Sequence, residues 1–427
     1  MSSADPSGAA RPVPRATRHP PMRAPTAGWL LASGASLLLL VLVMLSAGAA
    51  ALESIGLDLK HRWVALTAGR TQPVLAASPP PATTRAPNPV CVNVFLEQEV
   101  ESEKRQRSLE LLRAAGVGWI RQQIPWEQIE PVAKGQFEDP RFGGSTWKKF
   151  DDVVDAAHAM GIEVILRLDT SPRWALPPDA VDGLGPPVRY EDYWDFAEAV
   201  AARYRGRVRA YQVWNEPNLD IEWGRRPPDA AAYARLLRGA AERIRRADPN
   251  ALVLMAALSP TLTESPEALD ELVYLQRLYD AGVKGAFDVV AVQAYGLRGG
   301  PDDPRIDRAD VTFSRPRLVR EVMVRNGDSD RPVWATEVGW NVNPPQIAEK
   351  RFGRVTPPLQ ARYTVRAFER ARDQWPWMDV MCVWYWKRPD ETHRAQDWYW
   401  FRLADPDFTL QPVYYAVRDY SAWTARP

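Results

Sequence analysis

From Val90 onward the chain alternates between two patterns. Short runs of Val, Ile, Leu and Trp read as strands buried on both faces. Between them lie longer stretches with apolar residues three and four apart, the mark of a helix with one buried side. Strands are expected over residues 90–95, 118–122, 163–168, 208–214, 251–257, 288–294, 332–336 and 380–386. Helices are expected over 102–115, 146–160, 190–204, 229–246, 267–281, 315–326, 358–374 and 412–423.

Strict alternation of eight strands with eight helices points to an α/β chain folded as a parallel (β/α)8 TIM barrel. A doubly wound open sheet is the alternative, but it does not need so even a count. The helix-to-strand links are short, as in Ala115-Gly116-Val117 and Met160-Gly161-Ile162. The strand-to-helix links are long, at about 169–189, 215–228, 295–314, 337–357 and 387–411. Barrel enzymes carry their chemistry on this second kind of loop. The barrel is expected to fill residues 90–427.

Ahead of it the pattern changes. Residues 1–26 are rich in Pro, Ala and Ser, carry Arg11, Arg15, Arg18 and Arg23, and read as a disordered tail. No charge interrupts the run from Trp29 to Leu52. Twenty-four residues at ~1.5 Å rise reach ~36 Å, enough to cross a bilayer core. Residues 27–52 are therefore expected to be a transmembrane helix, with the arginines holding the tail in the cytoplasm. A signal peptide cleaved at Ala47-Gly48-Ala49 is the competing reading, and either one exports the barrel. Residues 53–89, with Ser78-Pro79-Pro80-Pro81, read as a linker.

Composition removes several classes of function. Lysine and arginine total 54 against 53 acids, so charge gives no reason to expect nucleic acid. The four histidines are scattered, and no HExxH, P-loop, GxGxxG or GxSxG occurs. No metal or cofactor is indicated. Eighteen tryptophans and 14 tyrosines suit either a large core or a sugar cleft. Trp223, Trp340, Trp398, Tyr399 and Trp400 fall on rim loops, as sugar platforms or as scattered aromatics. Cys91 and Cys382 fall on the first and last strands. A disulfide suits an exported protein, but cross-strand geometry rarely suits the bond, so two buried thiols are expected.

The candidate chemistry sits in two acids. Tyr211-Gln212-Val213-Trp214 is an apolar run that breaks at Asn215-Glu216-Pro217. Val333-Trp334-Ala335-Thr336 runs into Glu337. Both acids fall at the carboxyl ends of their strands, on one rim of the barrel. Two facing carboxylates are what glycosidic bond cleavage needs: one protonates the leaving oxygen, and the other attacks the sugar or activates water. The bland reading makes Asn215 a helix cap with Glu216 behind it, and Glu337 a salt-bridged loop acid.

The Asn-Glu pair on strand four with the Glu on strand seven resembles clan A of the glycoside hydrolases, whose relatives include family 5 cellulases and xylosidases. The form Trp214-Asn215-Glu216-Pro217-Asn218 is most similar to family 39. The resemblance covers most of residues 90–427. It implies Glu216 as acid/base, Glu337 as nucleophile, Asn215 on the sugar's 2-hydroxyl, and retention of configuration. Arg121 resembles the arginine that steadies the nucleophile, against a plain core salt bridge. Tyr295 resembles the tyrosine that hydrogen-bonds the nucleophile. Trp386 resembles the tryptophan that floors the sugar, against simple packing, which is also the reading of Trp384. Trp126-Glu127-Gln128-Ile129-Glu130-Pro131 resembles a segment read as structural. Asp169 stands where many members carry histidine, which leaves the strand-three contacts open.

The expectation is a retaining O-glycoside hydrolase acting on a β-linked sugar or polysaccharide, membrane-anchored with its barrel outside the cytoplasm. The alternatives are a barrel that binds extracellular polysaccharide without cleaving it, and a transglycosidase.

Overall fold

A computed structural model describes residues 48–49, 51–60, 86, 88–348 and 350–424. Two compact units divide the chain, Met1–Leu52 and Glu53–Pro427. Eight parallel strands lie in the second unit: β1 Val90–Val94, β2 Trp119–Pro125, β3 Glu163–Asp169, β4 Ala210–Val213, β5 Leu252–Leu254, β6 Val290–Tyr295, β7 Val333–Gly339 and β8 Met378–Val383. Hydrogen bonding runs β5-β4-β3-β2-β1-β8-β7-β6. The remaining gap is bridged by parallel pairs, Leu254 with Val289 and Leu258 with Val292. The result is the nearly closed (β/α)8 barrel expected from the alternation.

The helices between and after the strands are α1 Ser102–Ala114, α2 Lys148–Ala159, α3 Tyr190–Arg203, α4 Ala230–Ala247, α5 Glu271–Asp280, α6 Pro316–Arg325, α7 Pro357–Gln374 and α8 Pro412–Thr424. Their starts follow from local chemistry. Asp229 accepts from the Ala232 amide ahead of α4, and Asp270 from Leu272 and Val273 ahead of α5. Prolines open α6 and α7, where a missing N–H costs nothing.

Strand side chains alternate between two cores. Val92, Ile120, Leu166, Val213, Val292 and Met381 face outward and pack beneath the helices. Cys91, Trp119, Ile165, Ala210, Val289, Trp334 and Cys382 face inward and plug the amino-terminal end of the barrel. Trp119 and Trp334 meet edge to face across it, with ring centres 5.1 Å apart.

The expectation of two free thiols is overturned: Cys91 and Cys382 form a disulfide. The register explains it. The two residues are paired directly across β1 and β8, which brings their Cα atoms to 4.0 Å.

The stretch expected as linker begins as helix over residues 53–60. Asp58 pairs with Arg362 at 3.2 Å, and Glu53 with Arg354 at 2.5 Å. The tail expected over 1–26, nearly all of the span expected over 27–52, and the proline-rich part of the linker lie outside the described residues. Among the described residues no helix is long and apolar enough to cross a membrane.

Candidate active site

The carboxyl-terminal mouth of the barrel is polar. Arg121 is its centre. This guanidinium, 2% exposed, donates from Nε to Gln212 at 2.8 Å and from Nη1 to Asn93 at 2.8 Å. It also reaches Glu337 Oε1 at 3.1 Å and Asn215 Oδ1 at 3.2 Å. Burial, and then the neighbouring Arg167, pull its pKa down to about 10, so it stays charged at neutral pH. The core-salt-bridge reading of Arg121 and the functional one thus describe a single contact.

Glu337 sits where it does because β7 breaks register. The pairing with β6 goes from Val292–Ala335 to Gln293–Glu337, so one residue of β7 is skipped. Such a bulge re-aims the following side chain. Glu337 is 5% exposed and is held on both oxygens: Arg121 takes one, and the Tyr295 hydroxyl donates to the other at 2.7 Å. Burial and the Glu337 charge raise the Tyr295 pKa, which keeps the hydroxyl a donor. Two donors of this kind suit a carboxylate that must remain an anion.

Glu216 has a different environment. β4 ends at Val213, and Trp214 and Glu216 take left-handed φ values of 71° and 36°. Non-glycine residues rarely hold this region unless their surroundings enforce it. The enforcement is visible. The Trp214 amide bonds Leu168 and the Glu216 amide bonds Ala257. Asn218, wholly buried, donates to the carbonyls of Ser259 and Leu269 and accepts from the Ser259 amide. This turn excludes the bland reading of Asn215 as a helix cap. Gln293 Nε2 donates to Glu216 Oε1 at 2.5 Å. Burial, reinforced by the Glu337 charge, pushes the Glu216 pKa up to about 7. Glu337 thus receives two donors, while its partner keeps a proton up to neutral pH.

Asn215 turns its oxygen toward Arg121 and Arg167, the latter at 3.4 Å. Arg167 pairs with Asp169 at 2.7 Å, and Asp169 also accepts from Gln123 at 2.7 Å. Asp169 is thus committed to an inward ion pair beside the site. The segment from Trp126 is structural, as expected: Trp126 stacks on Phe196 and donates to Glu130 at 2.6 Å.

Trp386 is the misplaced expectation. It is fully buried and packs toward Tyr414 of α8, so it offers no face to a ligand. β8 ends at Val383, three residues earlier than the pattern suggested, and Trp386 lies on the loop that turns back onto the helices. Trp384 continues the inward alternation of Val380 and Cys382. It is half-buried, clusters with Phe95, Tyr295 and Phe401, and meets Phe95 edge to face at 5.4 Å. The rim aromatics divide similarly. Trp223, Trp340, Tyr399 and Trp400 are buried in loop packing, and Trp398 alone of the five is partly exposed. Arg388 stacks on Phe95, Tyr385 and Trp398 at the same edge.

Gln293 is the contact missed from sequence. It stands two residues before Tyr295 on the same strand face, so alternation alone could have found it. No group of His, Cys, Asp and Glu able to hold a metal occurs among the described residues. A cavity of about 510 Å³ lies on the flank by α7 and α8, lined by Tyr363, Arg366 and Tyr420, apart from the two acids.

In its barrel and its unequal acids the chain is similar to the glycoside hydrolases of clan A. Residues 89–281 match the family model Cellulase (glycosyl hydrolase family 5). Among curated proteins none matches the chain. Several solved structures share its fold. A family 39 glycoside hydrolase from Bacteroides cellulosilyticus is 20% identical, with a TM-score of 0.60, over 79% of this chain and 64% of that one. A family 39 β-xylosidase from Caulobacter crescentus is 19% identical, with a TM-score of 0.55, over 82% and 73%. An exo-β-1,4-mannosidase from an Opitutaceae bacterium is 15% identical, with a TM-score of 0.54, over 82% and 62%. The chain thus spans just under two thirds of the first relative's length.

Proposed function

We propose that this chain is a retaining β-glycosidase that works by double displacement. Glu337 attacks the anomeric carbon as the glycosidic C–O bond breaks, and Glu216 gives its proton to the departing oxygen. In the second half, Glu216 takes a proton from water, whose oxygen attacks the same carbon and releases Glu337. Arg121 and Tyr295 hold the nucleophile, Asn215 meets the 2-hydroxyl, and Trp384 replaces Trp386 as the ring beneath the sugar. The carrying observation is the contrast between the acids: Glu337 receives Arg121 and Tyr295, while burial and the Glu337 charge raise Glu216 to about 7. Forming the glycosyl ester removes that charge, which lowers the Glu216 pKa and readies it as a base.

The substrate class is a β-linked sugar or polysaccharide, in keeping with the xylosidase and mannosidase among the relatives. The barrel works outside the cytoplasm, tethered through residues 27–52. Support for export comes from the bonded Cys91 and Cys382, since disulfides persist in oxidising compartments.

The test uses Glu337→Gly on an aryl β-glycoside. Turnover should fall by about 10³-fold or more, and azide should restore part of it as a glycosyl azide of inverted configuration. NMR of the wild-type reaction should show the β-anomer forming first. Initial formation of the α-anomer would replace the nucleophile with a base for water.

A further inference from the structure

We propose that Arg167, held by Asp169, is a positioning residue that acts through Asn215: together with Arg121 it fixes which end of the Asn215 amide meets the sugar. The inference rests on the hydrolase reading above, in which Asn215 meets the 2-hydroxyl. It also accounts for Asp169, whose place on β3 departs from the pattern that the chain resembles.

Arg167 stands in register between Gln123 of β2 and Gln212 of β4. It is 8% exposed, and Asp169 is 3% exposed. Arg167 Nε faces Asp169 Oδ2 at 2.7 Å. Asp169 is fixed in turn, since its Oδ1 accepts from Gln123 Nε2 at 2.7 Å and from the Thr170 hydroxyl at 3.1 Å. The backbone locks the same strand end. Thr170 takes a left-handed φ of 59°, its carbonyl accepts the Glu127 amide, and the Ser171 amide bonds the Gly183 carbonyl. With Nε turned to its counter-ion, the far edge of the guanidinium points across to β4. There Nη1 donates to Asn215 Oδ1 at 3.4 Å.

That oxygen already accepts from Arg121 Nη2 at 3.2 Å. Two guanidiniums on one oxygen settle the orientation of the amide. A flipped Asn215 would set its NH2 group against two groups that can only donate. The amide nitrogen is therefore the end left for the sugar, and Asn215 meets the 2-hydroxyl as a donor. The hydroxyl accepts, and its own proton stays free for another acceptor.

The arrangement has a cost. Two cations lie side by side, and like charges repel. Each is balanced by its own acid, Arg121 by Glu337 and Arg167 by Asp169. Asp169 thus makes the second guanidinium tolerable where Asn215 needs it. Without Arg167 the amide keeps a single donor and loses its fixed setting, which is what a supporting contact behind a binding group provides.

The experiment compares the 4-nitrophenyl β-glycoside that the wild type turns over best with its 2-deoxy counterpart. Arg167→Met should lower kcat/KM about 10–50-fold on the first and less than about threefold on the second, which offers Asn215 no hydroxyl. Asp169→Asn keeps the shape of the cluster and should show the same pattern at about 3–10-fold. The double variant Asn215→Ala/Arg167→Met should stay within about twofold of Asn215→Ala alone, because Arg167 has nothing left to act through. An ion pair that served only the fold would slow both substrates alike. The proposal is overturned if neither variant distinguishes the two substrates, or if the losses multiply in the double variant. The side-chain amide resonance of Asn215, assigned by its loss in Asn215→Ala, reads the contact without turnover. It should shift in Arg167→Met, and an unmoved resonance would also sink the proposal. A wild-type protein that cleaves no β-glycoside would remove the hydrolase reading itself, and the resonance would still decide whether Arg167 holds Asn215.

Discussion

The two ends of the barrel interior are built from the same eight strands and do opposite things. At the amino-terminal end the inward residues are Cys91, Trp119, Ile165 and Ala210. Two residues further along each strand they become Asn93, Arg121, Arg167 and Gln212, all buried. The first layer is apolar and needs no partners. The second carries charge out of water and is tolerable only because each group is bonded, as Arg121 is to four neighbours. One strand repeat separates the part that holds the barrel together from the part that costs stability for the sake of chemistry. Changes in the upper layer should therefore alter activity and those in the lower layer stability, with little crossover.

Glu216→Gln is the strongest way to break this division. Turnover of a substrate with a poor leaving group should fall about 10²–10⁴-fold, because no proton reaches the departing oxygen. Stability should move the other way. The folded-state pKa of Glu216 is about 7 against an ordinary value near 4.5. Between these values the folded protein binds more protons than the unfolded one, so wild-type stability falls as pH rises through that window. The variant escapes this loss and should melt a few degrees higher at pH 7. Thermal melts from pH 4 to 8 check it. A variant that melts lower than wild type at pH 7 would mean that the Glu216 carboxyl contributes to the fold.

Trp334→Ala is the counterpart below. The ring is 2% exposed, packs on Trp119 and donates to Asp379 at 3.2 Å. Its removal should cost about 3–5 kcal/mol in a urea titration. The folded fraction should keep kcat within about threefold of wild type, since Glu216 and Glu337 lie a layer above. A much larger loss of kcat would show that the plug sets the geometry of the mouth.

The fold was legible in the sequence because alternation of apolar runs and helical patterns is a long-range signal, repeated eight times. Glu216 and Glu337 were legible because strand ends are where this fold places chemistry, and Arg121, Asn215 and Tyr295 through the resemblance to clan A; the structure brings all five together. What failed depended on backbone detail. β7 runs on to Gly339 through a bulge that no propensity marks. β8 stops at Val383 where the apolar run continues, and this leaves Trp386 buried and Trp384 partly exposed beside Tyr295. Trp223, Trp340 and Trp400 looked like rim platforms because they lie on loops. These loops are long enough to pack cores of their own, so the rings are buried.

The smallest expected effect sharpens the lower half of the comparison. Cys91 and Cys382 close a loop of 291 residues and are both fully buried. A cross-link of this span restricts the unfolded chain far more than the folded one, where register alone holds the two strands together. Replacing both by alanine should therefore cost about 2–4 kcal/mol, read as a lower urea midpoint, with kcat within twofold of wild type. Because the bond is shielded, dithiothreitol should leave the native wild-type protein unchanged and lower its midpoint only once unfolding exposes the sulfurs. The double variant should ignore the reductant throughout. An equal midpoint for variant and wild type would mean that strand pairing and the Trp119–Trp334 contact already close the barrel, and that the disulfide adds nothing to the layer it belongs to.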